Sequence, residues 1–125
     1  MHEFNNQKPL YLQLKELIEK LILKEVLKPE EAIPSIRTLA KDFQLNPLTV
    51  TNAIYELVGD GILHVKRGIG TFVCENAKFM IQSQQLDNFK KNELFSTIEK
   101  GKSLGITEKE MKEIIKNIYG GKDEF

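Results

Sequence analysis

Apolar residues recur at three- and four-residue intervals through Leu10, Leu14, Leu17, Ile18, Leu21 and Ile22. That period predicts an amphipathic helix opening after Pro9 and running until Lys28-Pro29 ends it. A second stripe, Ile36, Leu39, Ala40 and Phe43, predicts a shorter buried-face helix from Ser35, whose hydroxyl suits an N-cap, to about Gln44. A third, Val50, Ala53, Ile54 and Leu57, follows Asn46-Pro47. Asparagine there is a good cap, and proline at the first helical position gives up an N–H that would have no partner anyway. Gly59-Asp60-Gly61 ends this helix. Only Gln44 and Leu45 separate the second stripe from Asn46, so residues 35 to 58 read as two helices around a tight corner, without the glycine often found there.

Beyond Gly61 the pattern turns β-prone. Ile62 to Val65 and Thr71 to Cys74 flank Lys66-Arg67-Gly68-Ile69-Gly70, which predicts a hairpin with a basic, glycine-containing tip. Glu31-Ala32-Ile33 can add a short third strand. Residues 1–76 therefore read helix, strand, helix, helix, hairpin, the layout of a winged helix-turn-helix. From Ala77 the helical period returns: Phe79, Leu86, Phe89, Leu94, Phe95 and Ile98 mark a long helix, with Gly105 suited to the left-handed position after it. Thr107-Glu108-Lys109-Glu110 is a capping box ahead of Met111, Ile114, Ile115 and Ile118, and Gly120-Gly121 stops the last helix. The fold class is mainly α with a small β-hairpin, a winged helix-turn-helix followed over residues 77–125 by a two-helix C-terminal unit.

Composition narrows the function. The chain has 125 residues, enough for one ordinary domain or a small domain with an appendage. Lys plus Arg number 18 and Asp plus Glu 18, so no overall charge draws it to nucleic acid or anionic membrane. The lone Cys74 forms no intrachain disulfide, and charges interrupt every apolar run between Met1 and Leu27. A soluble cytoplasmic protein without a membrane partner is expected. His64 and Cys74 sit in the two hairpin strands, yet no further Cys, or His at ligand spacing, joins them, which leaves a metal-responsive sensor a distant reading. Nothing suggests catalysis or calls for a cofactor.

With its apolar stripe inward, the third helix turns Leu48, Asn52 and Tyr55 outward, flanked by Thr49 and Thr51. Asparagine can make a bidentate contact with adenine, threonine can reach a base or the thymine methyl, and leucine can touch that methyl. The helix has no basic residue, so Arg37, Lys41, Lys66 and Arg67 must supply the charge that meets phosphate. The plainer alternatives are a solvated helix face, a solvated hairpin turn at Lys66-Arg67-Gly68, and Tyr55 packed on the first helix.

Residues 32 to 73 resemble the DNA-binding domain of the GntR family of bacterial transcription regulators. The markers are Pro34-Ser35-x-Arg37-x-Leu39-Ala40, Asn46-x-x-Thr49-Val50, Gly61 and Arg67-Gly68-x-Gly70-Thr71-Phe72-Val73, with residues 9 to 22 similar to the family's first helix. The resemblance implies that Arg37 reaches DNA from the second helix and that Ser35 and Thr49 meet phosphates. Pro47 and Thr51 stand where some relatives carry arginine, and Glu30 replaces the family's usual glycine. The candidate DNA-binding set is Ser35, Arg37, Asn46, Leu48, Thr49, Thr51, Asn52, Tyr55, Lys66, Arg67, Gly68 and Gly70. The short tail looks like that of the YtrA-type branch, which implies a homodimeric regulator, more a repressor than an activator, on a palindromic operator in double-stranded DNA. Physics agrees, because two such helices alone bury too little to offset their ordering entropy. Phe79, Leu86, Phe89, Phe95, Ile98, Met111, Ile114, Ile115 and Ile118 are therefore the expected dimerisation residues, with the winged-helix domain of the same chain as the other possible cover. A small-molecule effector is not specified, and a winged-helix protein-interaction module without DNA binding is the alternative function.

Overall fold

The computed structural model describes residues 3–121. Pro9 leads into α1 (Leu10–Leu23), which turns Leu14, Ile18 and Ile22 into the core. The helix stops before the expected Lys28-Pro29. Glu25 takes φ 60°, and the N–H groups of Glu25 and Val26 donate to the carbonyls of Ile22 and Leu21 at 3.0 and 2.9 Å. A left-handed cap thus satisfies the terminal carbonyls and reverses the chain before proline can act.

α2 (Ile36–Phe43) and α3 (Pro47–Gly59) form the expected pair, capped by Ser35 and Asn46. Leu39 and Ala40 are buried as the stripe requires, whereas Ile36, expected inside, lies in the opening turn at the margin of the core and is exposed. The glycine-free corner is solved by Gln44, which adopts φ 54° while the N–H of Leu45 donates to the Ala40 carbonyl at 2.9 Å. α3 buries Val50, Ala53, Ile54 and Leu57 against α1.

The hairpin consists of antiparallel β1 (Leu63–Lys66) and β2 (Gly70–Val73), with Leu63 opposite Val73 and Lys66 opposite Gly70. The third strand shrinks to one bridge, Ala32 to Phe72, with the Ile33 N–H donating to Thr71 and the Val73 N–H to Glu31. Pro34, which has no N–H, cannot extend the ladder. Glu30, where the resembled family has glycine, keeps a left-handed φ of 64° and donates its N–H to the Val73 carbonyl.

The chain divides into two compact units, one up to Gln84 and one from Gln85. Core residues of the first include Leu14, Val50, Leu57, Ile62, Leu63 and Val73. Residues 77–84, read from sequence as the start of the tail, add Ala77 and Ile81 to it from α4 (Ala77–Asn88). Lys15 Nζ lies 2.9 Å from Asp60 Oδ2 and ties α1 to the end of α3. Burial works against the Lys15 ammonium, but the Asp60 carboxylate, helped by Glu56 and Glu19, outweighs it and holds the lysine above its ordinary pKa.

In the second unit the expected long helix is interrupted by a π-helical segment (Phe89–Leu94) between the end of α4 and α5 (Phe95–Ser103). Gly105, at φ 100°, closes α5 as its sequence position implies. Gly101 is buried, and a Cβ there would come within 2.9 Å of Met111 Cε and 3.3 Å of Ile106 Cδ1, so its bare backbone lets α6 (Glu108–Tyr119) approach α5 closely. The Thr107–Glu110 capping box forms on both sides. Hydrogen bonds from Thr107 hold the Glu110 carboxyl below its ordinary pKa, so this support is present above about pH 4.5 and fades as pH falls through the lowered value.

Gln44 forces a side chain into backbone space that glycine occupies at little cost. Gln44→Gly should therefore stabilise the protein by about 1 kcal/mol, read as a higher urea midpoint with unchanged slope; a lower midpoint would show that the glutamine side chain supports the corner.

Candidate DNA interface

Every expected DNA-contacting residue lies on or caps α2 or α3, or lies in the hairpin, and local hydrogen bonds decide what several of them have left to offer. Ser35 Oγ accepts the Thr38 N–H at 3.1 Å and donates to Thr38 Oγ1 at 2.9 Å. Its proton is thus committed, while the exposed Thr38 hydroxyl keeps its own for an outside acceptor. Thr38 was not among the residues singled out from sequence, although the Ser-x-x-Thr spacing carries the signal.

Asn46 Oδ1 accepts the Leu48 N–H at 2.8 Å, so the side chain caps α3 and has only its NH2 group outward. Thr51 Oγ1 donates to the Pro47 carbonyl at 2.9 Å, and the residue is half-buried. Its hydroxyl proton is engaged. Thr49 is half-buried, Asn52 is exposed, and Leu48 and Tyr55 are 65% and 75% exposed. Tyr55 therefore projects into solvent and is not packed on α1. Leu48, Asn52 and Tyr55, at i, i+4 and i+7, form one uncharged stripe along the open face of α3.

The charge lies off this helix. Arg37, Lys41 and Arg67 are exposed and make no ion pair among the described residues. Lys66 differs, because its Nζ sits 4.6 Å above the centre of the Phe72 ring, on which His64 also stacks. His64 Nε2 lies 3.7 Å from Glu30 Oε2. Gly68, at φ 78°, turns the tip with its backbone bare. No group of three or more candidate metal ligands occurs among the described residues. Cys74 is half-buried, and burial followed by the Glu30 charge raises its pKa, which makes the thiol less reactive.

A capped helix with an open polar-apolar face, a shorter helix across its start and a two-stranded wing with a basic tip define a winged helix-turn-helix protein of the DNA-binding class. Residues 10–73 match the family described as bacterial regulatory proteins, gntR family, and the chain belongs to that family. It is 34% identical over 117 residues to the HTH-type transcriptional repressor YtrA of Bacillus subtilis, covering 91% of this chain and 90% of that protein. The crystal structure of a transcriptional regulator from Oenococcus oeni superposes with a TM-score of 0.73 at 28% identity, over 94% of this chain and 97% of that one. The DNA-binding domain of AraR in complex with operator ORX1 matches 58% of this chain and 93% of that domain, at 32% identity and a TM-score of 0.55. The protein is thus a GntR-family DNA-binding transcriptional regulator, and no helix among its described residues is long and apolar enough to cross a membrane.

With cations this few, log K should fall with log salt at a slope of about 4 or less per reading head, at roughly 0.9 per neutralised phosphate. Arg67→Ala should lower that slope by about 1, and Asn52→Ala should leave it unchanged while flattening discrimination between sequences. Titrations of matched and scrambled duplexes at several salt concentrations check both; an equal slope change in the two variants would contradict the division between anchoring and reading.

Proposed function

We propose that the protein is a cytoplasmic homodimer that occupies a palindromic operator and represses transcription. Leu48, Asn52 and Tyr55 read base edges in the major groove, while Arg37, Lys41, Lys66, Arg67 and the hairpin tip at Gly68 and Gly70 engage phosphate and the minor groove. Residues from the tail join two copies. The relative named as a repressor, YtrA, supports the sign of regulation, and the AraR domain bound to operator DNA supports the target.

The observation that carries the dimer is the second unit's lack of a core. Every buried large apolar side chain of the described residues lies at or before Ile81. Leu86, Phe89, Phe95, Ile98, Ile115 and Ile118 are 41–57% exposed in the single chain, with Met111 and Ile114 half-buried. Such a surface needs cover, and a second copy supplies it symmetrically.

The π segment favours the same reading. Each residue advances an α-helix by about 100°, so in an uninterrupted helix Leu86 and Ile98 would lie about 120° apart. A π turn absorbs one extra residue, which brings them within about 20° and places Leu94 between them, in one stripe.

Selection from a pool of random duplexes at moderate salt should enrich a palindrome with half-sites about one helical turn apart; no enrichment would end the operator reading. In light scattering, Ile98→Glu should give a monomer where the parent is a dimer. Deleting Asn92 removes the extra residue and should keep the dimer, whereas deleting Asn92 and Glu93 together turns the stripe by about 100° and should abolish it. A dimer indifferent to all three changes would place the interface elsewhere.

A further inference from the structure

The hairpin tip, Arg67-Gly68-Ile69, is closed by the Ile69 N–H donating to the Lys66 carbonyl at 2.9 Å. Below it most side chains are occupied, Val65 at 59% exposed being the exception on the strand. Leu63 and Val73 are buried, and His64 and Lys66 both lie against Phe72. Ile69 has no comparable cover and is 74% exposed. An isoleucine at the outermost turn of a hairpin contributes nothing to the core, and its neighbour Arg67 is a cation with no ion-pair partner among the described residues. Together they present a stiff aliphatic knob beside a positive charge.

That combination matches one surface of DNA. The minor groove over A·T pairs is narrow, strongly negative and attractive to arginine. Its floor carries acceptors but no protruding group, whereas each G·C pair projects the guanine 2-amino group there. An aliphatic side chain covers floor acceptors on either kind of pair, but against G·C it also meets the projecting amino group, which holds it off the floor and is left without a partner. The branched Ile69 side chain also loses little rotamer freedom when it docks. Resting on the DNA-binding reading of the wing, we infer that Ile69 is a specificity-determining residue, which selects A·T pairs in the minor groove flanking each half-site by excluding the guanine 2-amino group.

The test uses the full chain and the palindrome recovered from the random pool. The pairs facing the wing are set to A·T, to G·C, or to inosine·C, which keeps the major-groove edge of G·C but lacks the 2-amino group. The parent protein should bind A·T and inosine·C alike and G·C on the order of tenfold more weakly. Ile69→Ala should reduce that discrimination to about twofold or less, with an unchanged circular dichroism spectrum because the side chain is exposed. Two results would overturn the assignment: inosine·C bound as poorly as G·C, or discrimination intact in Ile69→Ala. If the parent retains no duplex at all, the DNA-binding reading itself fails, an outcome distinct from operator binding that ignores the 2-amino group.

Discussion

The reading head depends on the burial of one face of α3. Val50, Ala53 and Leu57 have no exposed surface and Ile54 almost none, because α1 and the base of the hairpin close over them. Once that stripe is inside, the opposite face has no freedom: Leu48, Asn52 and Tyr55 must point outward. Leu63 and Val73 enter the same core from the hairpin, so the wing is anchored by the packing that orients the helix. A polar substitution at Leu57 would disturb fold and site together.

Three left-handed residues show how strongly this core governs the backbone. Glu25, Gln44 and Glu30 all take positive φ, a conformation in which side chains crowd the backbone, at the end of α1, at the helix corner and before α2. Each such residue costs on the order of 1 kcal/mol. Hydrogen bonds to Leu21, Ala40 and Val73 and the apolar packing beyond each turn offset that cost. The corner needs a left-handed residue, and it need not be glycine.

In the proposed function, electrostatics separates anchoring from reading. With 18 basic and 18 acidic residues the protein has no overall attraction for DNA, and α3 carries only Glu56 as a charge. Arg37 and Lys41 on α2, with Arg67 at the wing, lie apart from the uncharged stripe on α3. Asp60 Oδ2 is buried and is balanced by the Lys15 ammonium 2.9 Å away, which engages that lysine in the scaffold.

Helix periods, caps and the hairpin were legible because they rest on local chemistry. Asn46-Pro47, Ser35, the Thr107–Glu110 box and Gly105 act within a few residues of themselves, and the 3.6-residue stripes of α1 and α3 are plain in the chain. What lay beyond the sequence depended on contacts between distant residues. The reduction of the third strand to one bridge, the exposure of Ile36 and the entry of Ala77 and Ile81 into the first core fall in this group, whereas the bonds that engage Ser35 and Thr51 reach only three and four residues along the chain and are local chemistry. The sequence by itself determined which elements form and which face of α3 is apolar, since period and capping are local. Only the tertiary structure decided how far the hairpin pairs with a third strand and which apolar side chains are covered, because those outcomes depend on what packs beside them.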